Sequence, residues 1–154
     1  EWGRPMTLLI GRYEYALDSK NRLPVPPKFR EALSREKGDR LYLTSGLEGC
    51  LYLFLPQQWE KLLANDLQAF SLPNKEQERA FKRKFFAEAS DVELDSAGRI
   101  LVPQYLKAHA GLKSSVLVQG AGRRAEIWDA ARWNSYSKSK IEPAYKLVSK
   151  SLEI

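Results

Sequence analysis

A chain of 154 residues, 44% hydrophobic and carrying a net charge of +6, has room for one or two small domains with a buried core. Its one cysteine, Cys50, and one histidine, His109, exclude an internal disulfide and a four-ligand zinc site within the chain, and fit a reducing compartment. No apolar run reaches the ~18 residues of a membrane span and no signal peptide is visible, so no membrane partner is expected. Residues 1 to 5 precede the only methionine, Met6, and are set aside as an expected addition to the natural chain. The charge is uneven: residues 1–77 hold 11 Lys/Arg against 10 Asp/Glu, residues 78–154 hold 14 against 9. That surplus permits a polyanionic partner and equally suits ordinary solubility.

In chain order, Tyr13-Glu14-Tyr15-Ala16-Leu17 alternates as a half-buried strand does. "LDSKNRLPVP" (17–26) follows, and its strand leaves through Leu23 and Val25. Pro26-Pro27 opens a short helix, "KFREALS", since proline suits a first helical turn, and Gly38 is placed as its stop. Strands are predicted at Leu41–Leu43 and Leu51–Leu55, joined by the glycine-bearing "SGLEGC". A helix led by Trp59 then carries an apolar stripe of Trp59, Leu62, Leu63, Leu67 and Phe70. Leu72-Pro73-Asn74 breaks it. Asn74 caps a second helix, with Gln77 at the capping-box position and Phe81 and Phe85 one turn apart.

The plan then repeats. Val92-Glu93-Leu94 alternates, "LDSAGRILVP" (94–103) follows, and a strand leaves through Ile100 and Val102. Pro103 opens "QYLKAHA", which stops at Gly111; strands follow at Val116–Val118 and Glu126–Trp128, joined by "QGAGRRA". Trp133 lies five residues after Trp128, as Trp59 lies five after Phe54. A repeat of this kind fixes architecture before anything else does. Two copies of about 45 residues are each too small to be secure alone, so they are expected to share one core.

Asp18 to Arg22 and Asp95 to Arg99 each read as a five-residue hairpin loop. Asp at the first position accepts backbone N–H bonds from its own loop, and the fourth position needs a left-handed backbone. Asn21 and Gly98, which occupy it, are the residue types that tolerate positive φ most readily. The residues alone leave two roles open for the arginines: turn-stabilising ion pairs, or a fork presented to phosphate or a guanine edge.

"GRYEYALDSKNRLPVPPKFRE", "GCLYLFLPQQW", "ASDVELDSAGRILVPQYLKAHAGL" and "EIWDAARWNSY" together resemble the MraZ family of bacterial transcriptional regulators, whose hallmark is the doubled Asp-x-x-x-Arg. The resemblance implies an α+β, β-rich fold: two tandem AbrB-like swapped-hairpin β units with short helices, packed as one subunit with pseudo-two-fold symmetry. It divides the chain into a first SpoVT-AbrB repeat (12–58), a helical linker (59–88), a second repeat (89–132) and a C-terminal helical tail (133–154). It also implies a ring-shaped homo-oligomer that binds double-stranded DNA at repeated promoter boxes upstream of its own operon, the division and cell-wall gene cluster. The DNA-contact motif falls on Asp18 and Arg22 and on Asp95 and Arg99. Lys20 makes the first loop more basic than the second, where Ala97 takes its place; Lys28 and Arg30 are expected to support Arg22. Residues 1–10 and the tail beyond about 137 match the family poorly.

Other features read more plainly. "GAGRRA" (120–125) has dinucleotide-fingerprint spacing, but the chain continues as strand where that motif needs a helix, so a turn is expected. Arg79, Lys82, Arg83 and Lys84 read as a solvated face of the linker helix. His109 suits the negative end of its helix, and Cys50 reads as buried and inert. Trp59 and Trp133 read as packing residues and not as base-stacking platforms. No nucleophile–base pair, metal set or phosphate loop is present, and no cofactor or small-molecule substrate is expected. A DNA-binding regulator leads; a structural or RNA-binding β-barrel ring and a small β-barrel enzyme are the alternatives.

Overall fold

The computed structural model describes residues 6–66 and 70–154. The expected placements of residues 1–5 and Leu67 lie outside the described residues. Among the described residues eight strands form: β1 (Arg12–Ala16), β2 (Arg22–Pro24), β3 (Arg40–Ser45), β4 (Leu51–Phe54), β5 (Ser90–Glu93), β6 (Arg99–Leu101), β7 (Ser115–Gly120) and β8 (Ala125–Asp129). The helices are α1 (Pro27–Arg35), α2 (Pro56–Lys61), α3 (Lys75–Ala87), α4 (Gln104–Ala110), α5 (Ala130–Tyr136) and α6 (Glu142–Ser149). Five-residue π-helical turns extend α2 through Asp66 and join α5 to α6. The architecture is mixed α+β and mostly antiparallel.

Six strands make one sheet in the order β1-β7-β8-β4-β3-β5, while β2 and β6 pair separately. Exchanging the repeats (β1 for β5, β2 for β6, β3 for β7, β4 for β8) reverses that order without changing it. The pseudo-two-fold axis therefore runs between β4 and β8 and through the ribbon, where Leu23 faces Ile100. Register obeys the same symmetry: Tyr15 sits opposite Val116, as Val92 sits opposite Leu41. The first strand of each repeat completes the sheet of the other.

Both faces of the sheet are covered, which explains why β4, at its centre, is apolar without interruption. On the face toward the ribbon, α1 and α4, a core gathers Leu23, Phe29, Leu51, Leu53, Ile100, Leu106 and Ile127. On the other face Tyr52, Phe54, Phe85, Trp128 and Trp133 form an aromatic layer with partly buried Trp59 against it. The five-residue spacing puts paired rings in contact in both repeats, at 5.4 Å for Phe54–Trp59 and 5.2 Å for Trp128–Trp133. The stripe of α2 packs as far as Leu62. Phe70 instead follows the helix as irregular chain, with its ring 5.3 Å from Phe81.

Three local expectations are corrected. The strands flanking each Asp-x-x-x-Arg loop do not pair with each other: β1 joins β7 and β2 joins β6, because each is used to bury the other repeat. Helix α1 stops one residue earlier than Gly38 suggests, and Lys37 takes the left-handed position (φ 55°). Its N–H reaches the Ser34 carbonyl and that of Gly38 the Leu33 carbonyl, the double closure that Gly111 and Leu112 make after α4. Gly38 sits at a close approach instead, since a Cβ there would lie 3.0 Å from both Leu33 Cδ1 and Pro56 Cγ. At α3, Asn74 accepts from the Gln77 N–H at 3.0 Å as a cap, but no capping box forms with Gln77; the Glu78 carboxylate instead accepts from the Leu72 N–H at 2.8 Å, ahead of the cap.

Candidate nucleic-acid interface

The two loops adopt one geometry. Asp18 Oδ1 accepts from the backbone N–H groups of Lys20 (2.9 Å) and Arg22 (2.8 Å), and Oδ2 accepts from Arg22 Nε (2.6 Å). Asp95 does the same with Ala97, Arg99 and Arg99 Nε, each at 2.9 Å. The Asp18 N–H donates to the Arg22 carbonyl and the Asp95 N–H to that of Arg99, closing both turns. Asn21 (φ 61°) and Gly98 (φ 77°) make the left-handed step that the sequence pattern requires.

Each aspartate therefore spends both oxygens on its own turn. The Arg22 N–H, with help from the Arg22 side chain and the Lys20 N–H, holds the Asp18 carboxyl below the usual range; the Arg99 N–H does so for Asp95. The arginine is gripped at Nε alone, which fixes the plane of the guanidinium while its two terminal nitrogens have no partner within their own turn. Side-chain exposure of the four residues is between 31% and 36%. A pre-oriented, half-exposed cation of this kind suits a phosphate or a base edge.

Strand exchange then brings the turns together. Arg99 Nη1 lies 3.8 Å from Asp18 Oδ2, so the second turn's arginine reaches the first turn's aspartate. The Val25 N–H donates to the Gly98 carbonyl and the Val102 N–H to that of Asn21, tying each turn to the other repeat's ribbon strand. Two loops separated by 77 residues thus form one composite tip.

Neighbouring cations are exchanged as well. Arg30, expected beside Arg22, packs instead against the second turn: a Cβ on Gly98 would fall 2.9 Å from its Cζ, and its Nε donates to the Val25 carbonyl at 3.1 Å. Its counterpart 77 residues on, Lys107, donates to Asn21 Oδ1 of the first turn at 3.0 Å. Sequence reading missed Lys107. The repeat offset points to it once the exchange of strands is known. Asn21 Nδ2 also donates to Gln104 Oε1 at 3.3 Å. Lys20 is exposed at the first tip. Lys28 lines a groove of about 270 Å³ with residues 7–10 of the N-terminal segment.

Arg124, Lys82 and Lys84 have local partners. Arg124 pairs with Glu126 at 2.9 Å and lies 4.1 Å above the Tyr52 ring, at a turn where Gly122 is left-handed. On α3, Lys82 and Lys84 meet Glu78 and Glu88 one turn away. The Cys50 thiol is buried and its pKa raised by that burial; His109 Nε2 lies 3.1 Å from the Gly46 carbonyl oxygen. Among the described residues no group of His, Cys, Asp and Glu could hold a metal ion, and no helix is long and apolar enough to cross a membrane.

Comparison with known proteins agrees with this two-fold plan. The family model described as MraZ protein matches twice, over residues 8–84 and 85–148. A protein of Clostridium botulinum (strain Alaska E43 / Type E3) named transcriptional regulator MraZ is 41% identical over 94% of this chain and 96% of its own. Proteins of the same name from Heliobacterium modesticaldum and Acetivibrio thermocellus are 39% and 40% identical, over 94% and 93% of this chain and 96% of theirs. With both repeats matched and the similarity running through nearly the whole chain, this protein belongs to the MraZ family.

Proposed function

We propose that this chain is a non-enzymatic transcriptional regulator that binds double-stranded DNA through the composite tip of its paired Asp-x-x-x-Arg turns. Asp18 and Asp95 set the turns, Arg22 and Arg99 meet the DNA, and Lys20, Arg30 and Lys107 add positive charge around them. Lys28 belongs to the outer margin of this surface. The observation that carries the reading is the way each guanidinium is held at Nε, with the second turn's arginine reaching the first turn's aspartate. Turn stability alone would not need that arrangement, because the Asp18 and Asp95 bonds to backbone N–H groups already close the loops.

Family resemblance supplies the rest of the proposal. Units 12–58 and 89–132 act as the two repeats, 59–88 as linker and 133–154 as tail. Subunits assemble as a ring-shaped homo-oligomer in the cytoplasm, at the nucleoid, and engage repeated boxes upstream of the division and cell-wall genes. A ring lets modest contacts per tip add up without new chemistry, because each further box is bound at high effective concentration. The test is a gel-shift titration on the DNA upstream of the protein's own gene. Arg22→Ala should lose binding while circular dichroism and assembly mass stay unchanged. Equal affinity for the variant, or preference for a matched RNA duplex, overturns the reading.

A further inference from the structure

The two tips share a backbone but not a chemistry, and we propose that they divide the work of recognition: the first discriminates base sequence, and the second anchors the duplex backbone. This rests on the DNA-binding reading above.

Pseudo-equivalent positions differ in their side chains. At the first tip, Asn21 occupies the left-handed site, and its amide is held on both sides by the other repeat, with Oδ1 accepting from Lys107 Nζ (3.0 Å) and Nδ2 donating to Gln104 Oε1 (3.3 Å). Lys20 stands beside it, exposed and with only its backbone N–H engaged in the turn. Three side chains with amine or amide heads therefore meet at one place, and Lys20 precedes Asn21 in the same loop. At the second tip the equivalents are Gly98, Arg30, Pro27 and Ala97. Three of these have no polar side-chain atom, and the fourth, Arg30, donates its Nε to a backbone carbonyl and packs over Gly98.

Base discrimination needs several donors and acceptors fixed relative to one another, whereas phosphate contact needs only positive charge and reach. Cross-bracing between repeats fixes the first cluster. The second tip offers two arginines and little else, which suits a phosphate pair. The difference extends to the neighbour: a Cβ at position 98 would meet the Arg30 guanidinium at 2.9 Å, so an asparagine there would have to displace Arg30 from over the turn.

The experiment converts the first tip into the second with Lys20→Ala/Asn21→Gly, which keeps the left-handed step because glycine adopts it freely. Affinity is measured for a duplex selected from a random-sequence pool by the wild-type protein, and for the same duplex with its sequence shuffled. The double variant should lower the ratio of selected to shuffled affinity tenfold or more, over and above the uniform weakening of both duplexes that loss of the Lys20 charge brings. Arg99→Ala should weaken both duplexes in parallel and leave the ratio within twofold. A parallel loss in the double variant, or a collapsed ratio in Arg99→Ala, overturns the division of labour while leaving DNA binding intact. If the wild type selects no duplex, DNA binding itself fails, and this inference with it.

Discussion

Asp18 and Asp95 do more than terminate a strand: each accepts three hydrogen bonds from its own turn, and the carboxylate charge is what those donors recognise. Both carboxyls titrate below their ordinary 3.8, chiefly because the backbone N–H four residues on favours the charged form. A depressed folded value means that the contribution is complete above the ordinary range and is lost as pH falls through the folded value. Titrating the Arg22 and Arg99 amide shifts by NMR should therefore give midpoints below 3.8 for both turns; a midpoint at or above it would show that the carboxylates do not hold the loops. Gly98 is tied to the same geometry. Gly98→Ala should destabilise the fold by roughly 1–2 kcal/mol in denaturant titration, because a side chain at that positive φ is strained and also meets Arg30. Such a variant would also displace a cation from the tip. Arg30 and Lys107 show the limit of reading residues singly: neither lies beside its own turn, and only the swap tells which turn each one serves.

The ribbon of β2 and β6 connects the tips to the core, and its central pair lies on the symmetry axis. Leu23 and Ile100 are both 1% exposed. Replacing either with alanine should cost about 2–5 kcal/mol of stability and loosen both tips at once, measured by denaturant unfolding and by amide exchange at 18–22 and 95–99. A cost of a few tenths, or loosening of one tip alone, would mean that the ribbon does not couple them. Much of this was legible beforehand. The alternation of β1, the proline at the mouth of α1 and of α4, the Asn-for-Gly exchange and the tryptophan spacing all reflect local chemistry, and each appears where expected. Partner choice was not legible, because alternation names a buried face and is silent on which strand lies alongside. The stop of α1 was misplaced for a related reason: Gly38 answers to a close approach by Pro56, a long-range contact, while the left-handed step falls to Lys37. At α3 Gln77 and Glu78 are adjacent candidates to reach back over the helix start, and it is Glu78 that does so, to the Leu72 N–H, while Asn74 caps.

Neither repeat owns a complete sheet. β1 needs β7, β5 needs β3, and the core toward the ribbon draws on both halves. Residues 6–88 and 89–154 expressed separately should each lack dispersed NMR spectra, and mixing them should restore the spectrum of the intact chain. A folded single half would contradict the shared core. The family resemblance foresaw the exchange; the residues by themselves foresaw only that copies this small must share a core. In the proposed reading the exchange of strands places two arginine turns on one DNA-facing surface. Hydrogen exchange by mass spectrometry, with and without the DNA upstream of the gene, tests it most directly. Binding should slow exchange in segments 17–25 and 94–103 together, leaving α3 with Arg79 and Arg83 unchanged. Protection confined to α3 or to the 120–125 turn, with both Asp-x-x-x-Arg segments unaffected, would contradict it.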